Sequence, residues 1–251
     1  MSTVQVFEAG RYRFIPSVFQ YSGGVAAEAG FRIVRVALRT PVPVAAGFGR
    51  IREHLEGQGL PLTRFCACEL RSPGQFTDAG FRAFNEVYVG TLKAWGIMHD
   101  DVTNPVARSN VCPEITPPPE PSFNAFCYVT ENDGSHPPTA ITSGGAEARE
   151  GAGAYAERIV RHGETGPDAI REKALFVVDE MQRRLSLLGF GWADATAVQA
   201  YSVADFHHVM PTMAERGVVD KGLTWHYARP PVIGLEYEMD VRLVSDERIL
   251  A

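Results

Sequence analysis

Cysteine is scarce in this chain: four in 251 residues, Cys66, Cys68, Cys112 and Cys127, with no second pair at zinc-site spacing. A disulfide scaffold and a zinc site are therefore excluded as organising features, and free thiols in a reducing cytoplasm are expected. No apolar run approaches the roughly 20 residues needed to cross a bilayer, and no signal-like stretch opens the chain, so a soluble, cytoplasmic protein without a membrane partner is expected. Lysine and arginine form no block. They are scattered singly against a formal net charge of -6, which argues against nucleic acid as a partner and leaves a small molecule as the default ligand. Gly144-Gly145 is followed by no lysine and no serine stands in G-x-S-x-G, so a phosphate loop and a nucleophile elbow are both absent. His207 and His208 are adjacent, and neighbouring helical side chains point about 100° apart, so no metal site is expected there.

What is present is an ordinary globular composition, 45% hydrophobic and 22% charged, sufficient for one large domain or two small ones. Phe31 to Leu38 reads as a strand rich in β-branched residues. Val44, Phe48, Ile51 and Leu55 then fall on one face of a helix that Gly57 and Gly59 stop. Leu62 to Leu70 reads as another strand. Phe81, Phe84, Tyr88, Leu92 and Trp95 form a second helical stripe, with Asp78 in its cap region, and Phe123 to Val129 returns as a strand. The order is β, β, α, β, α, β, β. Thr130 to Pro138 has linker composition. Beyond it the order recurs: a short strand at Ala140 to Ser143, the clearest helix at Ile170 to Leu188, and a closing strand at Leu235 to Val244. The stretch from Gly59 to Phe65 has a counterpart from Gly189 to Ala195, which reads as an internal duplication. The expected division is residues 1–130, a linker at 131–138, and residues 139–251.

Within this frame Arg108 stands at the mouth of a hairpin, ahead of the stiff proline run 117–119. Its planar fork suits a carboxylate through two parallel charge-assisted hydrogen bonds. Glu236 and Glu238 lie on the closing strand, where Leu235, Tyr237, Met239 and Val241 alternate with Glu236, Glu238, Asp240 and Arg242. The same alternation fits a half-exposed strand whose acids face solvent. Ser143 with Gly144 and Gly145 offers a hydroxyl and unhindered N–H groups to an anion, or forms a plain turn.

Four segments together resemble the Rid family of enamine/imine deaminases: Phe84-Asn85-Glu86-Val87-Tyr88, Pro105-Val106-Ala107-Arg108-Ser109, Ile141-Thr142-Ser143-Gly144-Gly145 and Leu235-Glu236-Tyr237-Glu238. The resemblance implies an α+β fold of two tandem chorismate-mutase-like modules, each a mixed β-sheet with two helices packed on one face. It further implies a homotrimer with six modules, sites in the clefts between modules, and hydrolysis of a carboxylate-bearing enamine or imine without metal or cofactor. Carried over by position, Arg108 is the carboxylate clamp and Glu236 the acid that positions water, while Ser143, Gly144, Asn85 and Tyr21 line the site. The first half departs from the pattern with Arg35-Val36 in place of serine-glycine and Asn124 near the acid position. The second half has Lys221 near the arginine position and Met210 near the asparagine position. Glu238, Glu114 and Glu120 remain alternatives to Glu236. A 2-aminomuconate-type dicarboxylate is the first substrate class, with Arg35 or Lys221 as candidates for its second carboxylate. A chorismate-type hydrolase and a non-enzymatic sensor of 2-oxo acids are the competing readings.

Overall fold

The computed structural model describes residues 3–149, 151 and 153–250. The chain opens with strands β1 (Gln5–Phe7), β2 (Tyr12–Ile15) and β3 (Gly24–Ala27). Next come β4 (Phe31–Pro43), helix α1 (Val44–Gly57), β5 (Phe65–Arg71), α2 (Asp78–Ala94), β6 (Ala107–Pro113) and β7 (Ser122–Glu131). The second half contributes β8 (Ala140–Thr142), β9 (Gly145–Ala146), the single-turn α3 (Tyr155–Arg158), α4 (Pro167–Leu188) and β10 (Ala197–Tyr201). It closes with α5 (Met210–Glu215), β11 (Thr224–His226), β12 (Ala228–Arg229), β13 (Glu238–Leu243) and β14 (Asp246–Leu250).

The strands form two mixed sheets in an α+β fold, ordered β1-β2-β3-β8-β13-β10-β11, with β9 also on β13, and β12-β6-β5-β7-β4-β14. The segments β11-β10-β13-β8 and β6-β5-β7-β4 share both order and sense. The β10/β11 and β5/β6 pairs are parallel, and the others antiparallel. The sheets do not divide at residues 131–138. Strands β2 and β3 extend the sheet of the second half through β8, and β14 lies parallel to β4 in the sheet of the first half. Each exchange covers an edge whose unpaired backbone groups would otherwise face water.

Burial follows the helical stripes. Phe48, Ile51 and Leu55 of α1 and Tyr88 and Leu92 of α2 pack on Val34, Val36, Phe65, Phe123 and Phe126. Thr77, rather than Asp78, caps α2, its hydroxyl accepting the Gly80 N–H at 3.1 Å. On the other sheet Ile170, Ala174, Val177, Met181 and Leu185 of α4 pack on Val198, Tyr237, Met239 and Val241, and Gly189 ends the helix with φ of 89°. The inner faces of the sheets meet through Tyr12, Phe14, Val25, Ile33, Cys66, Cys127 and Ile141. All four cysteines are buried and free, and burial pushes the Cys68 and Cys112 thiols up to about 12.

Between the sheets this apolar contact gives way to a polar one. Glu238, Asp240 and Arg242 are buried rather than solvent-facing, because the second sheet covers the face of β13 that the sequence pattern leaves open. Arg35 of β4 donates to both oxygens of Glu69 on β5, at 2.6 and 2.9 Å, and Arg242 of β13 reaches Glu69 Oε1 at 3.1 Å. Against the upward push of burial, the Arg35 hydrogen bonds and the Arg242 charge hold the Glu69 carboxyl down at about 2. One carboxylate therefore ties the two sheets together.

Replacing Glu69 by leucine leaves the Arg35 and Arg242 guanidinium groups buried without it. Urea denaturation at pH 7 is expected to show a loss of roughly 3–5 kcal/mol. A lowered folded-state pKa means that the stabilisation is present above the ordinary carboxylate value and disappears as pH falls toward about 2. Wild type should accordingly lose more stability than the leucine variant between pH 5 and pH 2; parallel curves would show that Glu69 contributes nothing.

Candidate active site

Side chains two apart on a strand share a face, so β6 presents Arg108 and Asn110 together. The Arg108 guanidinium lies among four rings, its Cζ 4.8 Å from the Tyr88 centroid, 5.3 Å from Tyr21, 5.8 Å from Phe81 and 5.8 Å from Phe84. All three of its nitrogens are buried, and none has a hydrogen-bond partner among the described residues. The ring faces attract the cation, each by about 0.5–2 kcal/mol, but accept none of its directed N–H bonds. Arg108 borders a cavity of about 100 Å³. A carboxylate entering there would supply the missing acceptors.

The backbone beside this side chain is fixed where the two sheets touch. The Arg108 N–H donates to Ser143 Oγ at 3.0 Å, and the Arg108 carbonyl accepts the Gly144 N–H at 3.1 Å. Ser143 Oγ in turn donates to the Ser22 carbonyl. The hydroxyl is thus occupied with backbone groups and sits behind the cavity wall. Gly144 forms that wall. A β-carbon at this position would lie 2.1 Å from Glu238 Oε1 and 3.1 Å from Ser109 Cα, so glycine alone leaves room for the carboxyl.

Glu238 opens β13 and borders the same cavity. Burial, reinforced by Asp240, pushes its carboxyl well above the usual carboxylate range, although Arg71 and Arg108 oppose the shift. The acid form is favoured, as a proton donor requires. Tyr201 Oη donates to Asp240 at 2.7 Å, fixing the residue two positions along on the same face. Tyr21 reaches the cavity from the turn between β2 and β3, where its N–H donates to the Val18 carbonyl at 3.3 Å. Its hydroxyl is pushed up by burial and by Tyr155, against the effects of Arg184 and Arg108. Asn110 accepts from Ser72 Oγ at 2.9 Å, and its Nδ2 is a buried donor without a partner. On the opposite wall Arg184 of α4, 4% exposed, donates through Nε to Glu180 Oε1 at 2.7 Å and through Nη1 to the Ser143 carbonyl at 3.0 Å.

Of the residues singled out from sequence, Arg108, Tyr21 and Gly144 converge on this cavity, and Ser143 supports it from behind. Asn85 lies in α2 with its Nδ2 bonded to the Phe81 carbonyl at 2.7 Å, steadying the turn that carries Phe81 rather than lining the cavity. Glu236 is separated from Arg108. It lies before β13, 3.6 Å from Arg229, in a surface depression with Thr165 and Asp205. The Glu147 carboxylate holds it there by accepting the N–H groups of Glu236 and Tyr237 at 2.6 and 3.1 Å. The alternative two residues along, Glu238, occupies the cavity instead. Glu114 pairs with Arg229 at 2.8 Å, Glu120 and Lys221 are exposed, and Arg35 is engaged by Glu69. His207 bonds Asp205, and among the described residues no three His, Cys, Asp or Glu side chains are grouped to hold a metal.

Asn110 and Arg184 are among the polar cavity residues that the sequence reading does not single out. Asn110 was legible from its alternation with Arg108 along β6. Arg184 lies on α4, where Lys173, Val177, Glu180 and Arg184 are spaced four, three and four apart and run down one flank. Lys173 is also buried, in an ion pair with Glu147 at 3.2 Å.

A family model described as 2-aminomuconate deaminase CnbZ matches residues 4–248. A protein of Comamonas testosteroni named 2-amino-5-chloromuconate deaminase is 50% identical over 252 residues, covering 100% of each chain. A crystal structure of chorismatase superposes with a TM-score of 0.49 at 13% identity, covering 97% of this chain and 89% of its own.

The close approach at Gly144 yields a direct check. Gly144→Ala displaces the Glu238 carboxyl, and an error of about 1 Å in a reacting group costs on the order of 10²-fold in rate. The variant should keep the wild-type circular dichroism spectrum and lose turnover to that extent. Undiminished turnover would mean that the Glu238 position is irrelevant to chemistry.

Proposed function

Because the chain belongs to the 2-aminomuconate deaminase CnbZ family, we propose that it hydrolyses a 2-aminomuconate-type enamine to the corresponding 2-oxo acid and ammonia, using water and its own side chains without a cofactor. The observation that carries this reading is the buried Arg108 guanidinium, which has three nitrogens without a partner among the described residues and borders a cavity shared with the Glu238 carboxyl, whose acid form burial favours. Arg108 takes the carboxylate adjacent to the amine-bearing carbon through its planar fork. That binding places the reacting carbon near Glu238.

Glu238 begins as an acid. It protonates the conjugated carbon chain, turning the enamine into an iminium ion, and becomes a carboxylate. The carboxylate then takes a proton from the water that attacks the carbon bearing nitrogen. The resulting carbinolamine receives that proton on nitrogen, the C–N bond breaks, ammonia leaves, and the hydroxyl proton returns to Glu238. Enamine and water are consumed, 2-oxo acid and ammonia are formed, and the acid is regenerated. Tyr21 and the free Nδ2 of Asn110 border the cavity as further hydrogen-bond donors for the developing oxygen and nitrogen centres.

The same proposal treats the chain as two tandem Rid-type modules. The recurring strand order and senses support it. In the first half, the place expected for serine-glycine is taken by Arg35 in its ion pair with Glu69, to which Asn124 also donates at 3.3 Å. A polar cluster thus fills that position, and one kind of site is retained.

Purified protein given 2-aminomuconate should release ammonia, and absence of release would overturn the proposal. Glu238→Gln keeps the shape and removes the transferable proton, so kcat should fall by about 10²- to 10⁴-fold while carboxylate binding persists. Because the acid form starts the reaction and its pKa is raised, kcat/KM should decline as pH rises through that pKa, and a profile that instead rises would assign Glu238 the role of initial base.

A further inference from the structure

We propose that Arg184 is a second carboxylate clamp, which together with Arg108 restricts the cavity to dicarboxylates. This rests on the deaminase reading above and deepens it by naming what selects the substrate class.

The two arginines approach from different elements. Arg108 comes from β6 and lies against the α2 rings Phe81, Phe84 and Tyr88, whereas Arg184 comes from α4. Both are fixed to one residue, since Ser143 Oγ accepts the Arg108 N–H and the Ser143 carbonyl accepts Arg184 Nη1. Beyond that residue the chain runs through two glycines, each facing a different functional group. A β-carbon at Gly144 would meet Glu238 Oε1 at 2.1 Å, and one at Gly145 would meet Met181 Cε at 2.6 Å and, next to it, Arg184 Nη1 at 3.3 Å. The wall without side chains thus passes from the acid to the second guanidinium, as an elongated substrate with an anion beyond its reacting carbon requires.

Charge balance points the same way. Among the described residues, the carboxyl groups bordering the cavity are Glu238 and Glu180. Glu238 favours its neutral form. Glu180 is shared, bonding Arg184 at 2.7 Å and Arg183 through both oxygens at 2.7 Å. Facing them are Arg108, Arg149, Arg158 and Arg184, and the buried Nε of Arg158 has no partner among the described residues. A monocarboxylate held by Arg108 leaves the Arg184 end cationic, and a dicarboxylate neutralises both ends. Arg35 and Lys221, the basic residues anticipated for this task, lie elsewhere.

The test uses two stable ligands of one chain length: trans,trans-muconate, with carboxylates at both ends, and sorbate, with one. Their affinities for the full-length protein are measured by calorimetry. Wild type should bind muconate more tightly, and Arg184→Met should weaken muconate by about 10- to 100-fold, the range of a lost charged hydrogen bond, while sorbate binding stays unchanged and reports an intact fold. If Arg184→Met does not fold, Arg184→Lys replaces it and should still lower the muconate-to-sorbate ratio, because a point charge lacks the fork. An unchanged ratio in the folded variant overturns the clamp. Failure of the deaminase reading is a separate result: wild type would show Arg184-dependent muconate binding yet release no ammonia from 2-aminomuconate.

Discussion

Burying a guanidinium with no acceptor is the constraint around which this cavity is built. Removing a charge from water is expensive unless it is paired, and Arg108 has four aromatic faces but no hydrogen-bond acceptor on its side chain. The arrangement persists because the backbone on either side is secured. The Arg108 amide and carbonyl are both bonded across the contact between the sheets, and β5 pairs with β6 along its other edge. Stability is held in the strand, and the side chain is left for a ligand.

Glu238 has the complementary arrangement. Burial makes its charged form unfavourable, and Asp240 on the same face adds to that effect. A cation lacking an acceptor among the described residues and an acid whose neutral form burial favours therefore border one small space. The buried charges outside the cavity are arranged differently: Glu69 is paired with Arg35 and Arg242, and Glu147 with Lys173. Buried charge alone thus does not mark the site in this molecule. Arg108 is distinguished by having all three guanidinium nitrogens without a hydrogen-bond partner among the described residues.

Much was legible from the order of residues. Helical stripes such as Phe48, Ile51 and Leu55, and the long periodic run of α4, reflect which side chains must leave water, a local property of spacing. Arg108 and the small residues at Gly144 and Gly145 were visible for the same reason, although β6 and β7 on either side of the proline run form no hairpin, because β5 lies between them. Less was legible where a face is covered by distant chain. The acids of β13 read as solvent-facing because nothing near them in sequence announces the opposing sheet, and the burial of Arg184 has no local sign because its helix flank is covered by residues some forty positions away. Strands β1–β3 and β14 crossed the expected boundary because edge pairing depends on which backbone lies alongside, and side-chain pattern says little about that.

The sequence by itself determined the element types, the α+β character of the chain and the chemistry on offer, an arginine fork and a choice of acids, because composition and periodicity are set by neighbours in the chain. Only the tertiary structure decided which acid meets the arginine. Glu236 and Glu238 differ by two residues and share a strand pattern, yet the bonds from Glu147 hold one outside while the space left at Gly144 admits the other. That choice depends on contacts between residues far apart along the chain, which no local pattern encodes.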